Sequence, residues 1–155
     1  MNFERLQFHE NKLPTFKENK AKDIYNFGDD NLYPDLLVDL FSKSPKHNAI
    51  VSSKASYVAG VGTAIVAQNT QDIAKAEAKL KSINTYESFE EVKQKIAYDL
   101  ELFNGFAVEV IWNRTKTAIA ELYHIPFKNV RVGLDDCYYY SEDWANRREE
   151  IVQDR

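Results

Sequence analysis

From residue 31 to residue 103 apolar residues recur mainly with a helical spacing and after it with a spacing of two, so the chain beyond residue 30 divides into a helical part and a strand part. Residues 1–30 follow neither rhythm. Lys12, Lys17, Lys20 and Lys22 alternate with acids and with Pro14, which predicts an extended arm over 1–30. The arm ends in Phe27-Gly28-Asp29-Asp30-Asn31-Leu32-Tyr33-Pro34, where turn formers lie between aromatic anchors and Pro34 opens a helix. Leu36, Leu37, Leu40 and Phe41 mark the expected buried side of that helix. A second helix starts at Ser44-Pro45, a cap followed by a first-turn proline, passes through Ile50, Val51 and Val58, and stops at Gly60 and Gly62. The β-branched run over 63–67 reads as a short strand. Asn69-Thr70 opens a third helix, with Ile73, Ala76, Leu80 and Ile83 at helical spacing. Ser88 and Glu91 form a capping box at the start of a fourth, which turns Phe89, Val92, Ile96, Leu100 and Phe103 inward before Gly105 ends it.

The period then changes. Phe106, Val108, Val110 and Trp112 alternate with Ala107, Glu109 and Ile111, the polar residues 113–116 turn the chain, and residues 117–124 alternate again, which predicts a hairpin. After the break at Ile125-Pro126-Phe127, Val130-Arg131-Val132 and Cys137-Tyr138-Tyr139-Tyr140 add strands around the turn at Gly133-Leu134-Asp135-Asp136. Helices followed by an antiparallel meander define an α+β fold: an arm over 1–30, about four helices on a small antiparallel sheet over 31–140, and a charged helical tail over 141–155.

Composition narrows the function classes. A chain of 155 residues, 44% hydrophobic and 28% charged, has the makeup of one globular domain with a real core. Its net charge of −4 opposes whole-molecule attraction to phosphate or anionic lipid. A single cysteine, Cys137, excludes an internal disulfide framework and suits a reducing compartment. No apolar run reaches the length of a membrane span, and no membrane partner is expected.

Catalytic signals are sparse. Gly60-Val61-Gly62 follows a helix and has Ile65 where a dinucleotide fingerprint needs its third glycine, and no phosphate-binding loop or nucleophile elbow is present. His9, His47 and His124 lack metal-site spacing, so neither a metal nor a cofactor is expected. The one catalytic arrangement the strands allow is a hydrolase built on His124 and Asp135, with Cys137 near; against it, Asp135-Asp136 has the form of a hairpin turn. The aromatics are less ordinary. Alternation sends Tyr139 to the face opposite Tyr138 and Tyr140, so both faces of one strand are aromatic and need covering, by the chain itself or by another polypeptide.

A series of segments resembles the portal proteins of tailed bacteriophages, in particular those of phages infecting Bacteroidetes. It consists of residues 27–34, Ser44-Pro45-Lys46-His47-Asn48-Ala49-Ile50, Lys54-Ala55-Ser56-Tyr57-Val58-Ala59-Gly60-Val61-Gly62, Asn104-Gly105-Phe106-Ala107, His124-Ile125-Pro126, Val130-Arg131-Val132 and Tyr139-Tyr140-Ser141-Glu142-Asp143-Trp144. Their order and spacing cover most of the chain. The resemblance implies a non-enzymatic wing-type region of a ring at one capsid vertex, through which DNA is packaged and ejected. It further implies self-association into that ring, capsid, terminase and tail-adaptor proteins as partners, DNA passing nearby without specific contact, and a place in the virion after assembly in the host cytoplasm. Portal subunits continue for several hundred residues through clip, stem and tunnel elements, for which these segments have no counterpart. Phe27 and Tyr33 are the expected anchors of the arm, and Tyr139 and Trp144 the expected contacts with the rest of the subunit or a neighbour. A small protein-binding adaptor module is the alternative reading.

Overall fold

A computed structural model of the chain describes residues 16–19, 24–66, 69–133, 137–145 and 152–154. The fold is α+β, with four helices and small antiparallel sheets. The helices are α1 (Tyr33–Lys43), α2 (Pro45–Ala59), α3 (Thr70–Lys81) and α4 (Phe89–Phe103). Their starts follow local chemistry. Ser44 Oγ accepts the His47 N–H at 3.4 Å, Asn69 Oδ1 accepts the Gln71 N–H at 3.0 Å, and at α4 the Ser88 N–H donates to Glu91 while Ser88 Oγ accepts the Glu91 N–H. Helix α2 ends at Gly60 with φ 71°, a conformation open to glycine; α4 ends instead on the left-handed Asn104, one residue before the expected Gly105.

The helical core is built from small residues. Ala55 and Ala59 of α2 meet Ala97 of α4, with Tyr98 packed at their side. Val51, Ala55 and Ala59 recur every four residues and form the buried line of α2, while Ile50 and Val58, expected inside, are more than half exposed. Leu36 and Leu40 of α1 likewise face outward at 50% and 51% exposure, whereas Leu37 and Phe41 are half-buried. In α4 the inward line runs Val92, Ile96, Asp99 and Phe103, and Leu100, expected inside, lies at its exposed edge.

Strands β3 (Ala107–Trp112) and β4 (Ile119–Ile125) form the expected hairpin, closed by Asn113 Oδ1 accepting the Thr117 N–H at 2.9 Å. β5 (Val130–Val132) and β6 (Tyr138–Tyr140) pair antiparallel, so the expected single meander is divided into separate ladders. Two further differences concern the ends. Residues 16–19 (β1, Phe16–Asn19) and 24–27 (β2, Ile24–Phe27) form a hairpin, and β2 docks on β5 through the Ile24–Gly133 bridge with Ile24 fully buried. Burial of Ile24 gives this part of the expected arm a fixed seat; residues 1–15 and 20–23 of the arm lie outside the described residues. In the expected helical tail, residues 141–145 are irregular and Val152–Asp154 form β7, which pairs antiparallel with β6 on the side opposite β5, while residues 146–151 and 155 lie outside the described residues. Residues 63–66 form no strand, and residue 67 of that expected run lies outside the described residues.

Candidate functional site

Among the described residues the least exposed charged side chain is Arg131. Its guanidinium lies between the rings of Phe27 and Trp144, 5.0 and 4.8 Å from their centroids. It donates from Nε to Asn31 Oδ1 at 2.8 Å, from Nη2 to Asn31 O at 2.7 Å, and from Nη1 to Lys128 O and Val130 O. Asn31 is fit for this task because its left-handed backbone, φ 64°, turns both of its oxygens to the same side as the arginine fork. Burial among neutral acceptors and rings pushes the guanidinium down to about 10. It stays charged at neutral pH, and all its bonds go to this chain. Arg131 is therefore a knot that ties residues 27–31, β5 and residue 144 together.

A second buried polar group joins α4 to β4. Asp99 Oδ2 lies 2.7 Å from His124 Nε2 and also accepts the Phe127 N–H at 2.9 Å, with both side chains mostly buried. Among the described residues the partner of His124 is Asp99; Asp135, expected beside it, lies outside the described residues. Besides holding the imidazole, the carboxylate closes the backbone turn into Phe127, a structural duty. A third group seats the 82–88 turn: Asn84 Oδ1 accepts the Tyr86 and Glu87 N–H groups, and Asn84 Nδ2 donates to Leu122 O at 2.9 Å. Beside it, the Lys95 ammonium bonded to Glu87 holds that carboxyl below its ordinary range.

Among the described residues two apolar surfaces are open. One is the outer side of α2 and the loop after it, where Ile50, Tyr57, Val58 and Val61 are exposed, Tyr57 at 88%. The other is a groove of about 850 Å³ between β3 and the β5–β6 pair, lined among others by Phe106, Val108, Val110, Val132, Tyr138 and Tyr140. These surfaces share no residue. Single exposed apolar residues need no explanation, but a contiguous set of them marks a contact region.

The four residues expected at an interface fall in different places. Phe27 is half-buried, stacked 6.2 Å from Phe127 and against Arg131, as an internal anchor. Tyr33 begins α1 and is half-buried. Tyr139 packs over Gly133, where a Cβ would stand 2.5 Å from its ring and 2.9 Å from Cys137 O, so the glycine is required there. Trp144 has no surface left to offer a neighbour: it is 7% exposed and donates from Nε1 to Asn129 O at 3.1 Å, because the cationic face of Arg131 and a buried carbonyl satisfy it within the chain. Tyr138, at 58% exposure, takes the outward role.

The sequence reading missed Arg131, Asn31 and Asp99. Asp99 had a signal, a carboxylate in the apolar line of α4 three residues after Ile96 and four before Phe103. Arg131 had none, since alternation in Val130-Arg131-Val132 assigns the arginine to the solvent side. Among the described residues no cluster of His, Cys, Asp and Glu is placed to hold a metal ion, and no helix is long and apolar enough to cross a membrane. No protein-family model matches the chain, and no curated protein matches it significantly.

Proposed function

We propose that the chain is a non-catalytic structural part of a portal-type ring in a tailed bacteriophage, working in the virion through protein contacts. The observation that carries this reading is the pair of open apolar surfaces with no residue in common. A ring closes through a head-to-tail contact, which needs two different complementary surfaces on each subunit. The polar side chains best suited to chemistry, Arg131, Asp99 and His124, are spent on holding segments of the chain together. The net charge of −4 agrees with a protein that surrounds DNA without binding its phosphates, because each neutralised phosphate would add affinity and resist sliding. Self-association and contacts with capsid, terminase and tail-adaptor proteins belong to the same proposal.

Immunogold labelling of purified phage particles from the source culture, with antibody raised against the chain, tests it. Label at the single vertex that carries the tail is the expected result. Label spread over the head, or confined to host cytoplasm, overturns it and favours the adaptor module.

A further inference from the structure

The far end of the β3–β4 hairpin carries an apolar pair with two cations beyond it. Trp112 and Ile119 stand opposite each other in the register, so their side chains share one face, and they are 53% and 46% exposed. Asn113 Oδ1 ties the turn that follows by accepting the Thr117 and Ala118 N–H groups and the Thr115 hydroxyl. Arg114 and Lys116 lie in that turn, exposed, and their side chains make no hydrogen bond or ion pair among the described residues. A turn fixed by its own bonds presents these groups with little further ordering on contact.

Helix α1 offers the complement. Leu36 and Leu40, one turn apart, form its exposed apolar pair, and Asp39 lies on the same face, three residues after Leu36. Residues 29–39 hold four aspartates, Asp29, Asp30, Asp35 and Asp39, and no lysine or arginine. Lys43 bonds Asp39 at 2.6 Å and Asp35 lies near the buried Arg131 guanidinium, while Asp29 and Asp30 are exposed in the turn that leads into the helix. The apolar pairs match in size, since residues opposite in a ladder and residues four apart on a helix both stand about 5–6 Å apart. The patches lie toward opposite ends of α4. The far half of the hairpin joins the region before α4, through Leu122 N–H to Ile83 O and Asn84 Nδ2 to Leu122 O. In contrast, α1 follows Asn31, bonded to Arg131, and packs on residues 127–129, where Phe127 meets Phe103 in the last turn of α4.

We infer that the tip of the β3–β4 hairpin in one copy docks on the outer face of α1 in a second copy. Trp112 and Ile119 cover Leu36 and Leu40, while Arg114 and Lys116 face the aspartates before and along α1. Charge complementarity selects this occupant: a cationic tip on a chain of net charge −4 meets an acidic stretch of the same chain that holds no cation. With α4 of 15 residues, roughly 20 Å long, between them, the two patches of one chain do not reach each other. The contact is therefore head-to-tail, each copy donating at one end and accepting at the other. It uses neither the outer side of α2 nor the groove between β3 and the β5–β6 pair, so its failure leaves the ring reading standing.

Sedimentation velocity over a range of concentrations, in about 0.05 M and about 1 M salt and with tryptophan emission recorded in parallel, is the test. Expected are association that rises with concentration and weakens in the higher salt, and a blue shift of emission as Trp112 leaves water, Trp144 being buried already. Arg114→Glu with Lys116→Glu, or Trp112→Thr, weakens association about tenfold or more, and so does Leu36→Gln with Leu40→Gln on α1. These positions are exposed, and circular dichroism verifies the fold of each variant. Mixing the hairpin double variant with the α1 double variant restores a one-to-one pair, because one keeps α1 intact and the other keeps the tip. A wild-type chain that stays monomeric, association that survives in the tip variants or in the α1 variant, or a mixture that stays monomeric overturns the contact. Overturned in the same way is a monomeric wild type that binds a single-stranded oligonucleotide or phosphatidylserine vesicles and loses that binding with Arg114→Glu and Lys116→Glu, since the tip then serves that partner. Gold at the tail vertex beside any of these results keeps the ring reading and places its subunit contact elsewhere.

Discussion

The two halves of this molecule hold together by different means. Between α2 and α4 the contact is made by alanines, Ala55, Ala59 and Ala97, which let the helices approach closely but bury little apolar area each. Around β5 the fixing groups are polar: Arg131, Asn31 and Asn129 are buried, and each is bonded within the chain. The difference teaches why large apolar residues are found outside. A helix pair that packs through small residues leaves Ile50 and Val58 of α2 on the far side, and a strand region cross-linked by directional bonds does not need to close its groove to be stable. The molecule can therefore keep apolar surface exposed.

The comparison breaks most sharply at Arg131. Arg131→Ala removes a filler between two rings and strands Asn31 O, Lys128 O and Val130 O without donors, so thermal or urea unfolding is expected to show a loss of about 3–5 kcal/mol. Arg131→Lys recovers only part of this, because an ammonium cannot reproduce the planar fork. A loss below about 1 kcal/mol for the alanine variant would mean that the strand half relies on apolar packing after all.

On the helical side, Ala55→Leu forces a larger side chain into the closest approach of α2 and α4. The expected cost is about 1–3 kcal/mol in the same unfolding measurement, from overpacking alone. A neutral or stabilising outcome would show that the interface has slack, and with it that small residues are not what holds α2 in place.

The smallest effect separates surface ion pairs from the buried knots. Glu87, lowered by its bond to Lys95, and Glu91, lowered by the Ser88 N–H, are ionised in the folded state at a pH where the unfolded chain would begin to protonate them. Their contribution is present above the unfolded value of 4.5 and is lost as pH falls through the lower folded values. Urea unfolding from pH 6 to pH 3 is expected to show stability declining below about 4.5, and Glu87→Gln to make that decline shallower. An unchanged slope in the variant would leave the acid sensitivity to other carboxylates.

Legibility in the sequence followed the range of the interaction. The caps at Ser44, Asn69 and Ser88 and the hairpin around Asn113 were readable because each bond spans only a few residues. The orientation of side chains was not. Leu36, Leu40, Ile50, Val58 and Leu100 were expected inside from spacing, yet a helical wheel with apolar residues on two sides does not say which side meets the partner helix. Trp144 reads equally well as an interface residue or a core residue until the position of Arg131 is known.

By itself the sequence determined the α+β order, three of the four helix starts and the first hairpin, because local hydrogen bonds and periodicity act along neighbouring residues. The tertiary structure alone decided that Arg131 turns inward to meet Asn31 a hundred residues earlier, that His124 finds Asp99, and that β3 pairs with β4 alone among the described residues. Those outcomes depend on which distant surfaces meet, and a period of two or of 3.6 is the same whichever face is covered.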